Sequence, residues 1–285
     1  MPLLEEPSPW SRGIVYDPLP IGGIAIALML GTYGLFNPVA SIPLLLAAGC
    51  GTALVYSVDR WGVHSPEDAI NHPKRRRWGK EHRRWLVVEA MLLLVVGSGA
   101  VAHLRPATVL AAGGLSLLAG LHLVSVKRWG RPLKAWGMGK PVIVASAWAM
   151  GSTLLPVIEA GKGVGSKEIV FTGYRFLFIV PNVLMADWAD RAGDAAVGLQ
   201  TWTTGWTRRK LQVVSTFLLG LGMAGAVGAV YGGFTPLLLI DAFGLSLMLA
   251  AVWRVHPGAS PRRLFLLDVI VAWPVVVWAV TVLQS

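Results

Sequence analysis

Asp187, Asp190 and Asp194 stand three and four residues apart at the end of a long apolar stretch. On a helix that spacing puts all three carboxylates on one face. Like charges stacked there repel, and a cation is the simple remedy. Such an oxygen-rich set suits Mg2+, which takes one or two carboxylates, waters and often substrate phosphates. The competing reading is a helix end in solvent, with Arg191 offsetting one charge. A second acidic group, Asp59 followed by Glu67 and Asp68, comes after an earlier apolar stretch. Glu67 and Asp68 could add ligands. They could equally cap a helix, because Ser65-Pro66-Glu67-Asp68 has the order of a capping box with proline first. A third segment is purely basic, with Lys127, Arg128, Arg131, Lys134 and Lys140. Lys127 and Arg128 could grip the diphosphate of a substrate whose other oxygens bind the metal, or could serve membrane orientation alone. His122 lies one turn before Ser125, close to Lys127, and is placed to line the same cavity.

The elements that carry these groups read as membrane helices. Of 285 residues, 54% are hydrophobic and only 14% charged. A soluble domain carries roughly 25% charged residues. Nine stretches approach the ~20 apolar residues a spanning helix needs: Leu19–Phe36, Val39–Val58, Trp85–Leu104, Pro106–Val126, Pro141–Ala160, Ile169–Ala186, Leu211–Tyr231, Pro236–Trp253 and Leu264–Val282. The first 18 residues lack the basic start and short apolar core of a cleavable leader, so the first stretch is read as a span. Single Cys50 excludes a disulfide framework and is expected to be a small buried hydrophobe.

The net charge of +10 would suggest nucleic acid in a soluble protein. Its distribution points elsewhere. The polar segments after spans two, four, six and eight hold eight, five, four and three Lys or Arg, 20 of the 25 in the chain. The positive-inside rule places those segments in the cytoplasm. The N-terminus is then cytoplasmic and the C-terminus outside, in an inner or plasma membrane, and no nucleic-acid partner is expected. Tryptophans gather at the same edge, as in an interfacial aromatic belt. Glu89, His103, Arg175, Asp241 and Asp268 fall inside predicted spans. An ionisable residue there is a functional candidate, and Arg175 is placed to pair with an acid between helices.

Together these segments resemble the UbiA superfamily of intramembrane prenyltransferases. Asp190-x-x-x-Asp194-x-x-x-Gly198-x-x-Thr201, with Asp187 upstream, is similar to the family's second aspartate-rich motif. Lys127-Arg128 resembles its lysine after the fourth helix, and Lys140-Pro141 to Trp148 and Leu155-Pro156 its fifth helix. Asn71-His72-Pro73 and the arginines after it resemble the segment behind the first motif. That first motif departs from the family pattern: Asp59 stands with Val55 and Tyr56 where Asn and Asp would be, and the next acids come late.

The resemblance implies an all-α, polytopic membrane protein, one domain over residues 1–285, with nine transmembrane helices around a central cavity. It implies Mg2+ held by Asp59, Asp68, Asp187, Asp190 and Asp194. Asp59, Asp190, Asp194 and Lys127 would be catalytic, and Tyr56, Glu67, His122, Lys127, Arg128 and Arg191 would touch substrate. The substrates implied are an isoprenoid diphosphate and a lipophilic or aromatic acceptor, with membrane lipid around them. Two other readings stay open: an intramembrane terpene cyclase, and a non-catalytic protein that binds or transports isoprenoid lipids.

Overall fold

A computed structural model describes residues 9–36, 39–62, 66–120, 139–196, 198, 201–254 and 261–284. All the regular elements among them are helical. A short helix α1 (Pro9–Tyr16) precedes α2 (Leu19–Phe36) and α3 (Ile42–Ser57), which runs into a π-helical turn at Val58–Gly62. Two short helices follow, α4 (Pro66–Asn71) and α5 (Pro73–Glu81). Then come α6 (Arg83–Val101), α7 (Pro106–Gly120), α8 (Gly139–Glu159), α9 (Ser166–Ala196), α10 (Arg208–Tyr231) and α11 (Leu237–Arg254). The chain closes with α12 (Pro261–Val271) and α13 (Val275–Gln284).

Eight helical stretches are long and apolar enough to cross a membrane, and α7 is a shorter apolar helix. The rest of the expected fourth span, residues 121–126, lies outside the described residues. Span entries are set by local chemistry. Ser41 caps α3 by accepting from the Leu44 amide, with a proline in the first turn. Thr207 caps α10 by accepting from the Lys210 amide. The outer surface is greasy: Val87, Met91, Leu94 and Val95 of α6 are all exposed, as suits a face that meets lipid.

Two spans differ from their sequence-based outlines. The ninth is broken, because Ala272–Pro274 separates α12 from α13. Pro274 has no amide hydrogen and its ring clashes with an α-helical carbonyl. The chain turns there on shorter bonds, such as Val275 N to Ala272 O at 3.1 Å. Gly31 of α2 makes room for this corner: a β-carbon on it would meet the Pro274 carbonyl oxygen at 2.7 Å. The sixth span does not end at Ala186. Helix α9 continues to Ala196, 31 residues in all. At 1.5 Å per residue it is about 46 Å long, against a hydrocarbon core of roughly 30 Å. The excess places Asp187, Asp190 and Asp194 on an extension beyond the apolar part.

Helix α9 is central, packing against α4, α8, α10, α11 and α12. Leu28, Ala145, Ala149, Phe178, Leu184, Leu219, Leu245, Met248 and Leu267 form its apolar surround. Cys50 is buried, as expected. Arg175 and Asp241 are both fully buried between α9 and α11, with Arg175 Nη2 3.0 Å from Asp241 Oδ2. Arg175 Nη1 and the Tyr174 hydroxyl both donate to Asp241 Oδ1, at 3.2 and 2.8 Å. A carboxylate sealed by three donors is how a charge persists in an apolar interior. This pair is structural.

Candidate active site

The α9 extension is held from two sides. Asp187 is only 2% exposed. The buried Thr203 hydroxyl donates to its Oδ2 at 2.7 Å. The segment before α10 folds back over α9 to make this contact, and Trp188 Nε1 donates to the Trp206 carbonyl at 3.1 Å. Arg191 lies over the Trp188 ring, 4.0 Å from its centroid, and donates to the Trp188 carbonyl at 2.8 Å.

On the other side, α4 docks on α9. Asn71 Nδ2 donates to the Asp190 carbonyl at 2.7 Å, and the Gly193 amide donates to Asn71 Oδ1 at 2.8 Å. The next residue, His72, places Nε2 2.8 Å from Asp190 Oδ1. Gly193 makes this approach possible, since a β-carbon there would sit 2.5–2.6 Å from the Asn71 amide group. Asp194 is buried one turn beyond Asp190.

Deeper in, a second group of polar side chains converges from five elements. Tyr56 comes from the end of α3, and its ring meets Trp148 of α8 edge-on, centroids 6.4 Å apart. The π-helical turn places Arg60 over Tyr56, 5.5 Å from the ring centroid. Arg60 Nη1 donates to the Tyr16 and Asp17 carbonyls at 3.1 and 3.2 Å, tying the α1–α2 corner to this turn. Such π-helical turns occur frequently at functional sites. Asp268 of α12 accepts from Asn182 Nδ2 of α9 at 2.9 Å, and Arg60 and Tyr56 lie within electrostatic reach of it. Tyr56, Arg60 and Asp268 are all half-buried.

The expected site residues are distributed as follows. Asp187, Asp190 and Asp194 share one face of α9. Tyr56 is half-buried against Trp148, and Asp59 is exposed on the π-helical turn. The side chains of Glu67 and Asp68, and all of His122, Lys127 and Arg128, lie outside the described residues. Among the described residues, no three His, Cys, Asp or Glu side chains gather into a metal-holding group. Asp59, Asp187, Asp190 and Asp194 thus do not bring three carboxylates together there. Asp187 is turned to Thr203 and Asp190 to His72. This donor set fits Mg2+ nonetheless, since that ion usually keeps several waters and binds through one or two carboxylates plus substrate phosphates rather than a protein cage.

Asn71, His72, Thr203, Arg60 and Asn182 were not among the expected site residues, and Asp268 was expected only as one of several ionisable residues within spans. Of the first five, only Asn71 and His72 carried a local signal, as part of the segment behind the first motif. Side-chain hydrogen bonds of the others cross 16 to 86 positions of sequence, which no local pattern reports.

The sequence matches no protein-family model and no curated protein. Two solved structures match the fold. One is a UbiA homolog from Archaeoglobus fulgidus bound to Cd2+, with a TM-score of 0.58 at 14% identity, covering 93% of this chain and 99% of that one. The other is a UbiA homolog from Archaeoglobus fulgidus bound to GPP and Mg2+, with a TM-score of 0.52 at 15% identity, covering 94% and 99%. The motif resemblance and this shared architecture agree: the chain is an all-helical membrane protein with the fold of the UbiA homologs.

Proposed function

We propose that the protein catalyses Mg2+-dependent transfer of a prenyl group from an isoprenoid diphosphate to a lipophilic or aromatic acceptor within the membrane. One observation carries this reading. Asp187, Asp190 and Asp194 share a face of the α9 extension, in a fold also seen in a protein bound to GPP and Mg2+.

Asp190 and Asp194 would hold the metal in this reading, together with Asp59, Asp68 and Asp187. When bound, Mg2+ supplies positive charge to the diphosphate oxygens as the bond to the prenyl carbon breaks. Thr203 fixes one oxygen of Asp187, and Asn71 fixes the α9 backbone at Asp190 and Gly193. The carboxylates are thereby preorganised rather than left to reorient during reaction. In this reading Lys127 and Arg128 would add charge against the leaving diphosphate, and Glu67, His122 and Arg191 would contact substrate. Apolar and aromatic walls, Tyr56 and Trp148 among them, exclude water from the developing allylic cation.

The domain acts as one unit over residues 1–285. Its N-terminus and active-site loops lie in the cytoplasm and its C-terminus outside.

The test is pyrophosphate release from geranyl diphosphate by the purified protein in lipid nanodiscs, with and without a lipophilic aromatic acceptor such as 1-naphthol, and with Mg2+ or with chelator. Release that needs both metal and acceptor supports the reading. Binding of the diphosphate without release points to a lipid-binding protein, and release without any acceptor to a cyclase.

A further inference from the structure

Residues 74–84 hold seven Lys or Arg against one acid, Glu81. Membrane orientation does not call for such density, because the segments after spans four, six and eight signal the same side with five, four and three. The excess gathers around one helix, α5, and the structure turns it outward. The inner face of α5 docks on the protein. Gly79 is buried there, and the Trp78 ring stacks on His82, centroids 4.6 Å apart, and meets Tyr16 of α1 at 6.1 Å. Arg76, Arg77 and Lys80 are exposed.

What adjoins this face restricts its partner. Helix α5 passes into α6 through a single residue, His82. Arg84 is exposed at the start of α6. Val88, Met91 and Val95 follow it at the spacing of one helix face, and all three are exposed. From Arg84 to Val95 the helix rises about 16 Å, which is the depth of one leaflet in a hydrocarbon core of roughly 30 Å. A cationic face above an apolar stripe one leaflet deep complements an amphiphile with a negative head. A soluble phosphate or a nucleic acid would use the cations alone. Clusters of Lys and Arg beside a membrane helix attract anionic headgroups, and the planar fork of arginine suits phosphate.

We propose that the outer face of α5, with Arg84, docks anionic phospholipids of the adjoining leaflet, their phosphates on Arg76, Arg77, Lys80 and Arg84 and their acyl chains along the exposed stripe of α6. The assignment goes beyond the transferase reading and does not depend on it.

The test uses the whole protein in phosphatidylcholine nanodiscs carrying a trace of spin-labelled phosphatidylglycerol or of spin-labelled phosphatidylcholine. The fraction of each label immobilised on the protein gives their relative affinity. The parent should favour phosphatidylglycerol by about threefold or more at low salt. The preference should collapse near 1 M salt, where charges are screened within roughly 3 Å. Arg76→Gln, Arg77→Gln, Lys80→Gln and Arg84→Gln combined should remove it. The same number of exposed cations neutralised elsewhere, at Arg209, Lys210, Arg254 and Arg263, should leave most of it. Equal affinity of the parent for the two lipids overturns the assignment, as does a preference that ignores salt, survives the α5 changes or falls equally with the control set. A preference abolished by inorganic phosphate at constant ionic strength would give the face to a soluble phosphate and overturns it too. If the fourfold α5 variant fails to insert, Arg77→Gln with Lys80→Gln decides: a reduced preference supports the assignment and one equal to the parent's overturns it. No turnover is read, so failure of the transferase reading would leave this result standing.

Discussion

Asn71→Ala removes both hydrogen bonds that dock α4 on the acidic end of α9. Their lengths of 2.7 and 2.8 Å are ordinary good geometry. Each contributes roughly 1 kcal/mol net, so the variant should loosen the docking by about 2 kcal/mol. That corresponds to roughly 30-fold in the local opening equilibrium. The His72–Asp190 contact is only partly buried and will not compensate once the backbone beside it is free. Gly193→Ala attacks the same contact from the other side, since the new methyl would overlap the Asn71 amide. Its effect should match or exceed that of Asn71→Ala. Amide hydrogen exchange of the intact protein, read over residues 66–81, is the assay. Exchange there should rise by ten- to a hundredfold in both variants, while the core of α9 around Phe178 stays protected. Unchanged exchange over 66–81 in both variants, or a rise spread equally along α9, would refute the docking argument.

Two further predictions follow from charge. Asp241→Asn strips the counter-charge from Arg175, which has no exposure to water. It should cost about 3–5 kcal/mol, seen as a lower thermal unfolding temperature, and Arg175→Met with Asp241→Leu should recover most of it. The orientation is tested by cysteine labelling from either side: Lys80→Cys should label only from the cytoplasm and Lys162→Cys only from outside. Both positions are exposed, and buried Cys50 will not compete.

The fold was legible because the membrane forces long apolar helices, and spans such as Leu19–Phe36 appear with the outlines that hydropathy predicts. Where outlines failed, the cause was local chemistry that hydropathy averages away. Pro274 breaks an otherwise continuous apolar run. Helix α9 runs on past Ala186 because nothing between Asp187 and Ala196 stops a helix, even though the chain turns polar there. The α9 carboxylates were legible for the same reason, since their spacing is periodic. Their partners were not. Thr203 meets Asp187 only through the fold-back before α10. Asn71 reaches α9 only because Gly193 lacks a side chain. Asp268 read as one of several ionisable residues in spans, and nothing in its neighbours separates it from Asp241. The difference lies in what each helix face meets, Arg175 and Tyr174 for Asp241 and Asn182 for Asp268.

The central claim is that the acidic face of α9 binds a metal diphosphate and drives its departure. Asp190→Asn and Asp194→Asn test it most directly, each measured for pyrophosphate release and for the thermal shift produced by Mg2+ with geranyl diphosphate. Loss of one strong transition-state interaction typically costs 10²–10³ in rate. Each variant should therefore release pyrophosphate about a hundredfold or more slowly, while inserting and folding like the parent. The thermal shift should be clear in the parent and much smaller in either variant. Near-parental turnover with an undiminished shift in both variants would mean that Asp190 and Asp194 are only a solvated helix end, and would contradict the account.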